Sequence, residues 1–546
     1  MWQATAVGRI GSRHSGRYPF IMGVKVSVVV PVFNGGEWLE ECAESVLAQT
    51  MPPGDYEVVF VDDGSTDATP RVLDALAERE QVVRAVHLPR SGGPGGPRNA
   101  GVEQAEGEYV YFLDHDDRLA PRALERMYAM ATRCDSDIVV GKVVGHGGRG
   151  VPKSMFAASR DRADILADHL LGFLTPHKLF RRSFLRRHGL RFEEGPAWLE
   201  DHRFVVEAYF LAGTISVLAD EVCCHWMKRD GRAHYSARRF DPEAYYRALR
   251  QILDIVDAHA EQGAERDQMY AYWYHSKMLR LLTWPVLLGR PVPYSRYRWY
   301  REIRRLALER FPTSVDDWLP LSIRVRSWLL RRNAYGDIAR LAAAERGLSV
   351  AADLEQVSCD GAALVVRVRG RLAYADGRPV TFRRVGDRLL WNPPCELRTA
   401  LPDEAFDASG QIGDSRLELM VQNRHDKGVY SVPTRSELAF DTDVGAVQNV
   451  QQVRLVGTAR LDPATGKLGR PLDAGTWDCL VRAESCGWGP QRRLGGSAEY
   501  PAGKPPVDST LTFDGEDGTF AAKPYWTGLG NLSVQVTRRQ TSRPEP

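Results

Sequence analysis

The sequence predicts an α/β domain built on a parallel sheet, followed by a helical region and then by an all-β half. Three observations carry this. Apolar runs alternate with helically spaced segments at the start, helical periodicity holds over 241–282 and again over 296–310, and from Leu348 onward short strands are separated by turns.

Val26-Ser27-Val28-Val29-Val30 is a continuous apolar run closed by Pro31-Val32-Phe33-Asn34-Gly35-Gly36. Such a β-branched run reads as a strand buried on both faces. Residues 37–49 follow, with Leu39, Val46 and Leu47 on helical spacing. Tyr56-Glu57-Val58-Val59-Phe60-Val61 is a second strand, ending in Asp62-Asp63-Gly64-Ser65-Thr66-Asp67. A helix over 68–79 and a short strand over 82–88 come next. Gly92-Gly93-Pro94-Gly95-Gly96-Pro97-Arg98-Asn99 is a glycine-rich loop opening a helix over 100–105. Backbone amides at a helix start cradle anions, and Arg98 adds a bidentate donor. No Gly-Lys-Ser or Gly-Lys-Thr follows, so this is not a Walker loop. Tyr109-Val110-Tyr111-Phe112-Leu113 is a further strand, ending in Asp114-His115-Asp116-Asp117.

The polar clusters all fall at the carboxyl edge of the expected sheet, where open α/β folds bind ligands. Carboxylates gathered at a strand tip require a cation, and a divalent ion holding a diphosphate supplies one. Plain alternatives stand beside this reading. Asp62 and Asp67 suit an Asx turn and a helix cap, Asp117 suits a cap, and the glycines suit a flexible loop. Further on, Trp198-Leu199-Glu200-Asp201-His202 precedes a helix carrying Val205, Val206, Tyr209 and Leu211. Adjacent acids there either compensate the helix dipole or serve a reaction. Cys223-Cys224-His225-Trp226-Met227-Lys228-Arg229 follows. Its cysteines lack zinc-site spacing and read as core thiols.

These segments resemble the family 2 glycosyltransferases, which have the GT-A nucleotide-sugar fold. The likeness rests on Val28 to Asn34, Val61 to Asp67, Gly101 to Gly107 and Phe112 to Asp117, and it covers roughly residues 24 to 235. It implies metal-dependent transfer of a sugar from a UDP-sugar, UDP-N-acetylglucosamine among the candidates, with inversion at the anomeric carbon. It places Pro31, Phe33 and Asn34 in the donor loop, with Pro31 and Phe33 flooring the nucleobase pocket. Asp63 becomes the acid that hydrogen-bonds the uracil edge, and Arg98 and Asn99 lie against base and diphosphate. Asp114 faces the ribose and the metal, and Asp116 binds Mn²⁺ or Mg²⁺, which would stabilise departing UDP. His225 is a third metal ligand or a core histidine. Asp201 is the general base, with Glu200 close to the acceptor or orienting the site. Arg229 neutralises diphosphate ahead of a mobile loop containing Gly231.

Composition sets limits. A chain of 546 residues accommodates several domains, and its net charge of +2 provides no global steering. Eight cysteines without a framework suit a reducing cytoplasm. Residues 1–21, with Arg9, Arg13 and Arg17 and no apolar core, are expected to be a disordered extension before Met22 rather than a signal peptide. No stretch reaches the ~20 apolar residues of a bilayer span.

Charge is uneven, with fifteen Lys or Arg against six Asp or Glu between Lys277 and Arg346. Tyr294, Tyr297, Trp299, Tyr300, Trp318, Leu319 and Trp328 are interleaved among these bases. Such basic aromatic helices hold a polyanionic acceptor, rest on an anionic membrane face, or form a solvated linker. No nucleic-acid module accompanies them.

The β half contains strand-like runs at 363–370, 416–421, 453–457, 476–482 and 532–536. These predict one or two antiparallel immunoglobulin-like sandwiches. The expected domains are a GT-A domain over 22–235, a helical region over 236–346, and β-sandwiches over 347–445 and 446–540. This architecture resembles bacterial wall teichoic acid glycosyltransferases, implying a teichoic-acid-like acceptor and C-terminal modules for homo-oligomerisation or acceptor binding. The expected location is the cytoplasm, either free or peripheral at the inner face of the membrane. The rivals are an inactive GT-A scaffold that binds carbohydrate, and a nucleotidyltransferase.

Overall fold

The computed structural model describes residues 23–152, 154–229, 241–284, 286–289, 293–442, 444, 448–467, 469–495, 510–515 and 518–539. The expected extension over 1–21, Gly231 and the boundary at 235/236 lie outside the described residues.

The apolar runs of the first part join one eight-stranded sheet. Its strands are β1 (Val26–Val32), β2 (Tyr56–Asp63), β3 (Val83–Leu88), β4 (Tyr109–Phe112), β5 (Arg118–Leu119), β6 (Ile138–Gly145), β7 (Leu179–Arg181) and β8 (Ile215–Trp226). Their order is β3-β2-β1-β4-β7-β6-β8-β5. The first four run parallel to their neighbours, whereas β7 is antiparallel to β4 and β6. The chain lays β2 and β3 on one side of β1 and β4 on the other. The loops beyond β1 and β4 therefore diverge and open a crevice, the switch point where such sheets bind ligands. Every residue of β1, β2 and β4 is buried, which is why these runs are apolar rather than alternating.

Six helices flank the sheet: α1 (Trp38–Leu47), α2 (Thr69–Arg79), α3 (Gly95–Gln104), α4 (Ala123–Cys134), α5 (Arg182–Arg187) and α6 (Glu200–Leu211). Helix α1 buries Leu39, Cys42, Ala43 and Val46, the stripe its spacing predicts. Helix α3 differs from expectation, because it starts at Gly95 rather than at 100. A Cβ at Gly95 would come 2.0 Å from the Glu193 carbonyl oxygen, and one at Gly101 2.2 Å from Val29 Cγ1. These glycines let the helix lie flat between β1 and the 192–193 segment.

The helical region comprises α7 (Pro242–His259), α8 (Ala264–Trp273), α9 (Val286–Gly289), α10 (Pro293–Arg310), α11 (Leu321–Arg331) and α12 (Tyr335–Ala344). The periodic stretch expected over 241–282 is broken between α7 and α8. Helix α8 then runs into a π-helical turn, Tyr274–Met278, and a 3-10 turn, Leu279–Leu282. Much of the basic excess is consumed internally. Arg326 is fully buried against Glu345, and Arg304 and Arg331 donate to main-chain carbonyls of Leu330, Arg331, Phe311 and Pro312. Among the described residues no helix is long and apolar enough to cross a membrane.

The β half forms two sheets. One contains β9 (Ser349–Asp360), β10 (Ala363–Ala373), β11 (Thr381–Val385) and β12 (Arg388–Asn392), with β15 (Thr434–Thr442) and β16 (Val450–Leu461). The other contains β13 (Arg416–Asn423), β14 (Val429–Val432), β17 (Gly475–Glu484), β18 (Gln491–Arg493), β19 (Leu511–Gly515), β20 (Gly518–Trp526) and β21 (Leu532–Arg538). Leu417 of β13 packs across onto Gly370 of β10 and Gly457 of β16, so the sheets face each other. Each draws strands from both sides of 445/446, and the division expected there does not separate them. Local strand patterns carry no information on which distant partner a strand pairs with.

Candidate active site

Asp114, just beyond β4, is the hub. Its Oδ1 accepts a hydrogen bond of 2.8 Å from Arg98 Nη2, and Nη1 of the same guanidinium lies 3.5 Å from Glu200 Oε1. Arg98 is 3% exposed, so a buried guanidinium joins the β4 acids to the acidic start of α6. Sequence alone aimed this group at the diphosphate. Here it is the bridge between two acid segments some ninety residues apart in sequence, roughly the span from Asp114 to Asp201.

Around Asp114 a second group converges. His177 Nε2 lies 3.0 Å from Asp117 Oδ2 and 3.7 Å from Asp114 Oδ2. Asp117 Oδ1 accepts from the Met227 amide at 2.7 Å. The contact between His177 Nε2 and Asp117 Oδ2 misses hydrogen-bond geometry, and His177 Nδ1 is buried with no partner among the described residues. Buried polar atoms without partners are costly, and two carboxylates with an imidazole are the donor set a divalent ion such as Mn²⁺ accepts. Among the described residues, potential ligand atoms of Asp114, Asp117 and His177 lie within 4.8 Å of one another. The acids respond to crowding in opposite ways. Burial pushes Asp117 up to about 6, with Asp116 and Asp114 adding to the rise. Burial acts upward on Asp114 too, but Arg98 and His177 outweigh it and hold the group at about 2.

This group shares only Asp114 with the ligand set expected from sequence. Asp116 is half-exposed, and its carbonyl accepts from Arg229 Nε at 3.1 Å. Arg229 also pairs with Glu41 at 2.8 Å. His225 turns to His146, with Nδ1 3.0 Å from His146 Nε2. Burial, then His146 and Arg118, drive it down to about 3, which keeps it neutral. The side chain belongs to the contact between β6 and β8.

At the other end of the cleft, Glu200 and Asp201 open α6. Leu199, just before them, holds a left-handed backbone at φ 56, a conformation costly for leucine and typical of functional sites. Burial, then Asp201, raise Glu200 to about 7. Burial also raises Asp201, opposed by Lys277 and Arg98 and by the His202 amide that donates to Oδ1 at 2.8 Å. Two lysines act here. Lys178 is fully buried, donates to the Phe173 carbonyl at 3.0 Å and to that of Thr175, and is pushed down to about 7 by burial. Lys277 comes from the π-helical turn, where its carbonyl accepts from the Tyr246 hydroxyl at 3.2 Å and its ammonium acts on Asp201. The turn is held against α6 by Trp273 Nε1, which lies 3.4 Å from His202 Nδ1, and by Tyr272 stacked on His202.

The first two strand ends are joined separately. Asp63 is buried, with Oδ1 accepting from the Ser91 amide at 2.7 Å, while Oδ2 pairs with Arg90 and accepts from the Gly92 amide at 3.3 Å. Arg90 lies over the Phe33 ring, 3.3 Å from its centroid. Asn34, at φ 49, accepts from the Thr66 amide at 2.8 Å and ties the β1 and β2 loops together. Pro31 is buried within β1 beside Val61. Asp62 accepts from the Ser65 amide at 3.0 Å and Asp67 from the Thr69 amide at 2.9 Å, both in turns. Asn99 is consumed structurally. Its amide bonds the Phe192 carbonyl at 2.9 Å, Glu194 at 3.0 Å and the Phe192 amide at 2.9 Å, which leaves little capacity for a ligand.

Sequence reasoning missed His177, Lys178, Lys277 and Arg90. His177-Lys178 lies in a stretch without a motif, before the short strand β7. Lys277 was counted only as one basic residue among many, and the π-turn that points it inward has no signature of its own.

Known proteins match this chain in sequence and in fold. The glycosyl transferase family 2 model covers residues 27–191, and the glycosyl transferase TarS linker domain model covers residues 242–342. A poly(ribitol-phosphate) beta-glucosyltransferase of Bacillus spizizenii is 34% identical over 311 residues, covering 57% of this chain and 49% of that protein. The Staphylococcus aureus poly(ribitol-phosphate) beta-N-acetylglucosaminyltransferase TarP is 32% identical over 261 residues, covering 47% and 80%. The related TarS is 35% identical over 249 residues, covering 45% and 43%. The chain thus spans about half the length of the Bacillus protein and less of TarS. The crystal structure of TarS 1–349 in complex with UDP-GlcNAc superposes with a TM-score of 0.52 at 27% identity, covering 65% of this chain and 98% of that one. Full TarS shares the fold at 22% identity, TM-score 0.51, over 95% of this chain and 86% of that one.

Proposed function

The chain belongs to the family 2 glycosyltransferases, and from that premise we propose that it moves a sugar from a UDP-sugar to a hydroxyl of a poly(ribitol phosphate)-like polymer. The transfer inverts the anomeric carbon, and the donor is UDP-N-acetylglucosamine. One observation carries the reading: Arg98 holds the donor-side acid Asp114 and the acceptor-side acid Glu200 in one cleft at the sheet switch point.

In this mechanism Asp201 takes the proton from the acceptor hydroxyl as that oxygen attacks the anomeric carbon and UDP leaves. Its raised proton affinity suits a base working near neutrality. Glu200, close to Arg98, sets the orientation of the pair. Asp114, Asp117 and His177 would hold Mn²⁺ or Mg²⁺, which supplies charge neutralisation for the departing diphosphate. Arg229 adds positive charge on the same side. Phe33 and Asp63 receive the base, with Pro31 and Asn34 shaping the loop beneath it. Lys277 stands beside the base and the exposed Arg280 next to Lys277, positive charge that a phosphate-linked acceptor requires and a neutral glucan does not. Because nucleotide sugars are cytoplasmic metabolites, the reaction takes place on that side of the membrane.

The test is UDP release from a panel of sugar nucleotides with Mn²⁺, with poly(ribitol phosphate) or with a neutral polysaccharide as acceptor. UDP-N-acetylglucosamine with the phosphate polymer should give the fastest release. No consumption of any sugar nucleotide would overturn the proposal.

A further inference from the structure

Where the helical region meets the β half there is a cavity of ≈ 470 Å³ that the reaction does not use. That volume is within the range of small-molecule sites, about 300–1,000 Å³. Trp318, at the end of the 3-10 turn Thr313–Trp318, stands at the cavity with 44% of its surface exposed. The opposite wall is a charged ladder on one face of β13 and β17. Arg416 is paired in register with Glu484, and Glu418 with Arg482. Arg416 contacts Glu484, and Arg482 Nη2 lies 2.7 Å from Glu484 Oε1. Arg482 Nε is buried without a partner. A Cβ at Gly489 would stand 3.0 Å from Arg482 Nη2, so the chain lies against the guanidinium and fixes it. The seam beneath is rigid, since the Gln411 amide accepts from the Leu321 amide at 2.8 Å and donates to the Leu319 carbonyl at 2.9 Å.

Two guanidiniums in this lining face two carboxylates, Glu484 and Asp414. The balance gives a phosphate no net attraction. It suits a neutral polyhydroxylated ring, in which each hydroxyl donates to a carboxylate and accepts from a guanidinium. An exposed indole supplies the apolar platform for the ring's C–H face.

We propose that this cavity is a second saccharide-binding site, with Trp318 as the stacking surface and Arg416, Glu484 and Arg482 reading the hydroxyls of a neutral sugar. On the function proposed above, its natural occupant is a sugar already attached to the polymer, but the site does not rest on that reading.

Saturation-transfer NMR on the full chain tests it, with methyl β-N-acetylglucosaminide and methyl β-glucoside as probes and ribitol 5-phosphate as the charged comparison. Transfer to the glycoside ring protons is expected. W318A should weaken glycoside affinity by roughly tenfold or more, about 1.4 kcal/mol, whereas W318F should retain it. R482Q should weaken it several-fold while leaving UDP affinity unchanged, which separates loss of this site from loss of the catalytic cleft or of the fold. Absence of transfer to glycosides, equal binding in W318A and R482Q, or preference for ribitol 5-phosphate would each overturn the proposal.

Discussion

Two acid clusters share one cleft and differ in what surrounds them. Asp114 and Asp117 sit against the His177 imidazole, and His177 Nδ1 is buried without a partner among the described residues. Glu200 and Asp201 are ringed by Arg98, Lys178 and Lys277. In the first, Arg98 pairs with Asp114 while Asp117 is left to His177 and the Met227 amide. In the second, cations stand beside both acids, yet burial still raises both carboxyls. The difference teaches that acid content alone does not distinguish a cation site from a proton acceptor. The neighbours decide, through unmet hydrogen-bond capacity in one case and desolvation in the other.

The comparison breaks most sharply at Asp201. Asp201→Asn keeps size and hydrogen bonding but removes the proton acceptor, so kcat should fall about 10²–10⁴-fold, with UDP affinity and melting temperature near wild type. Comparable turnover in the variant would move the base elsewhere, and Glu200→Gln would then be the variant to measure. The second test strikes the other cluster. His177→Ala should lower Mn²⁺-supported activity by roughly 10- to 100-fold. It should also abolish the rise in melting temperature that Mn²⁺ gives the wild type, an effect worth about 2.7 kcal/mol at a hundredfold excess over Kd. An undiminished Mn²⁺ shift in His177→Ala, together with its loss in Asp116→Asn or His225→Ala, would restore the ligand set expected from sequence.

How much was legible follows the same line. β1, β2 and β4 were readable because a strand buried on both faces leaves a continuous apolar run, and the acids just beyond them were readable as groups needing a partner. Asp63 stands at the end of β2, Asp114 just beyond β4, and Glu200 and Asp201 at the start of α6, the positions their segments predicted. His177 and Lys277 were not readable, because their placement depends on an edge strand and on one π-turn, neither of which has a periodic pattern. The glycines near α3 were misjudged for a related reason. Close helix–strand packing and anion binding both demand glycine, and only the contacts of Gly95 and Gly101 separate them. The two β sheets were recognisable strand by strand, but their interleaving across 445/446 is a matter of long-range pairing.

The smallest expected effect is also the most discriminating. Lys277 favours the charged form of Asp201, opposing the desolvation that raises it. Removing that ammonium in Lys277→Met should therefore raise the Asp201 pKa further. Because the base works only when ionised, activity is lost as pH falls through this value, so the acid limb of kcat/KM should move to higher pH. The direction separates two roles for the lysine. A residue that only holds acceptor phosphate would raise KM for the polymer and leave the limb unmoved. One that only braces the π-turn would lower the melting temperature with neither kinetic change. A limb that shifts upward while slow donor hydrolysis without acceptor persists would tie the helical region directly to the charge state of the base. It would also explain why that segment packs on α6 through Trp273 and Tyr272 rather than hanging as a linker.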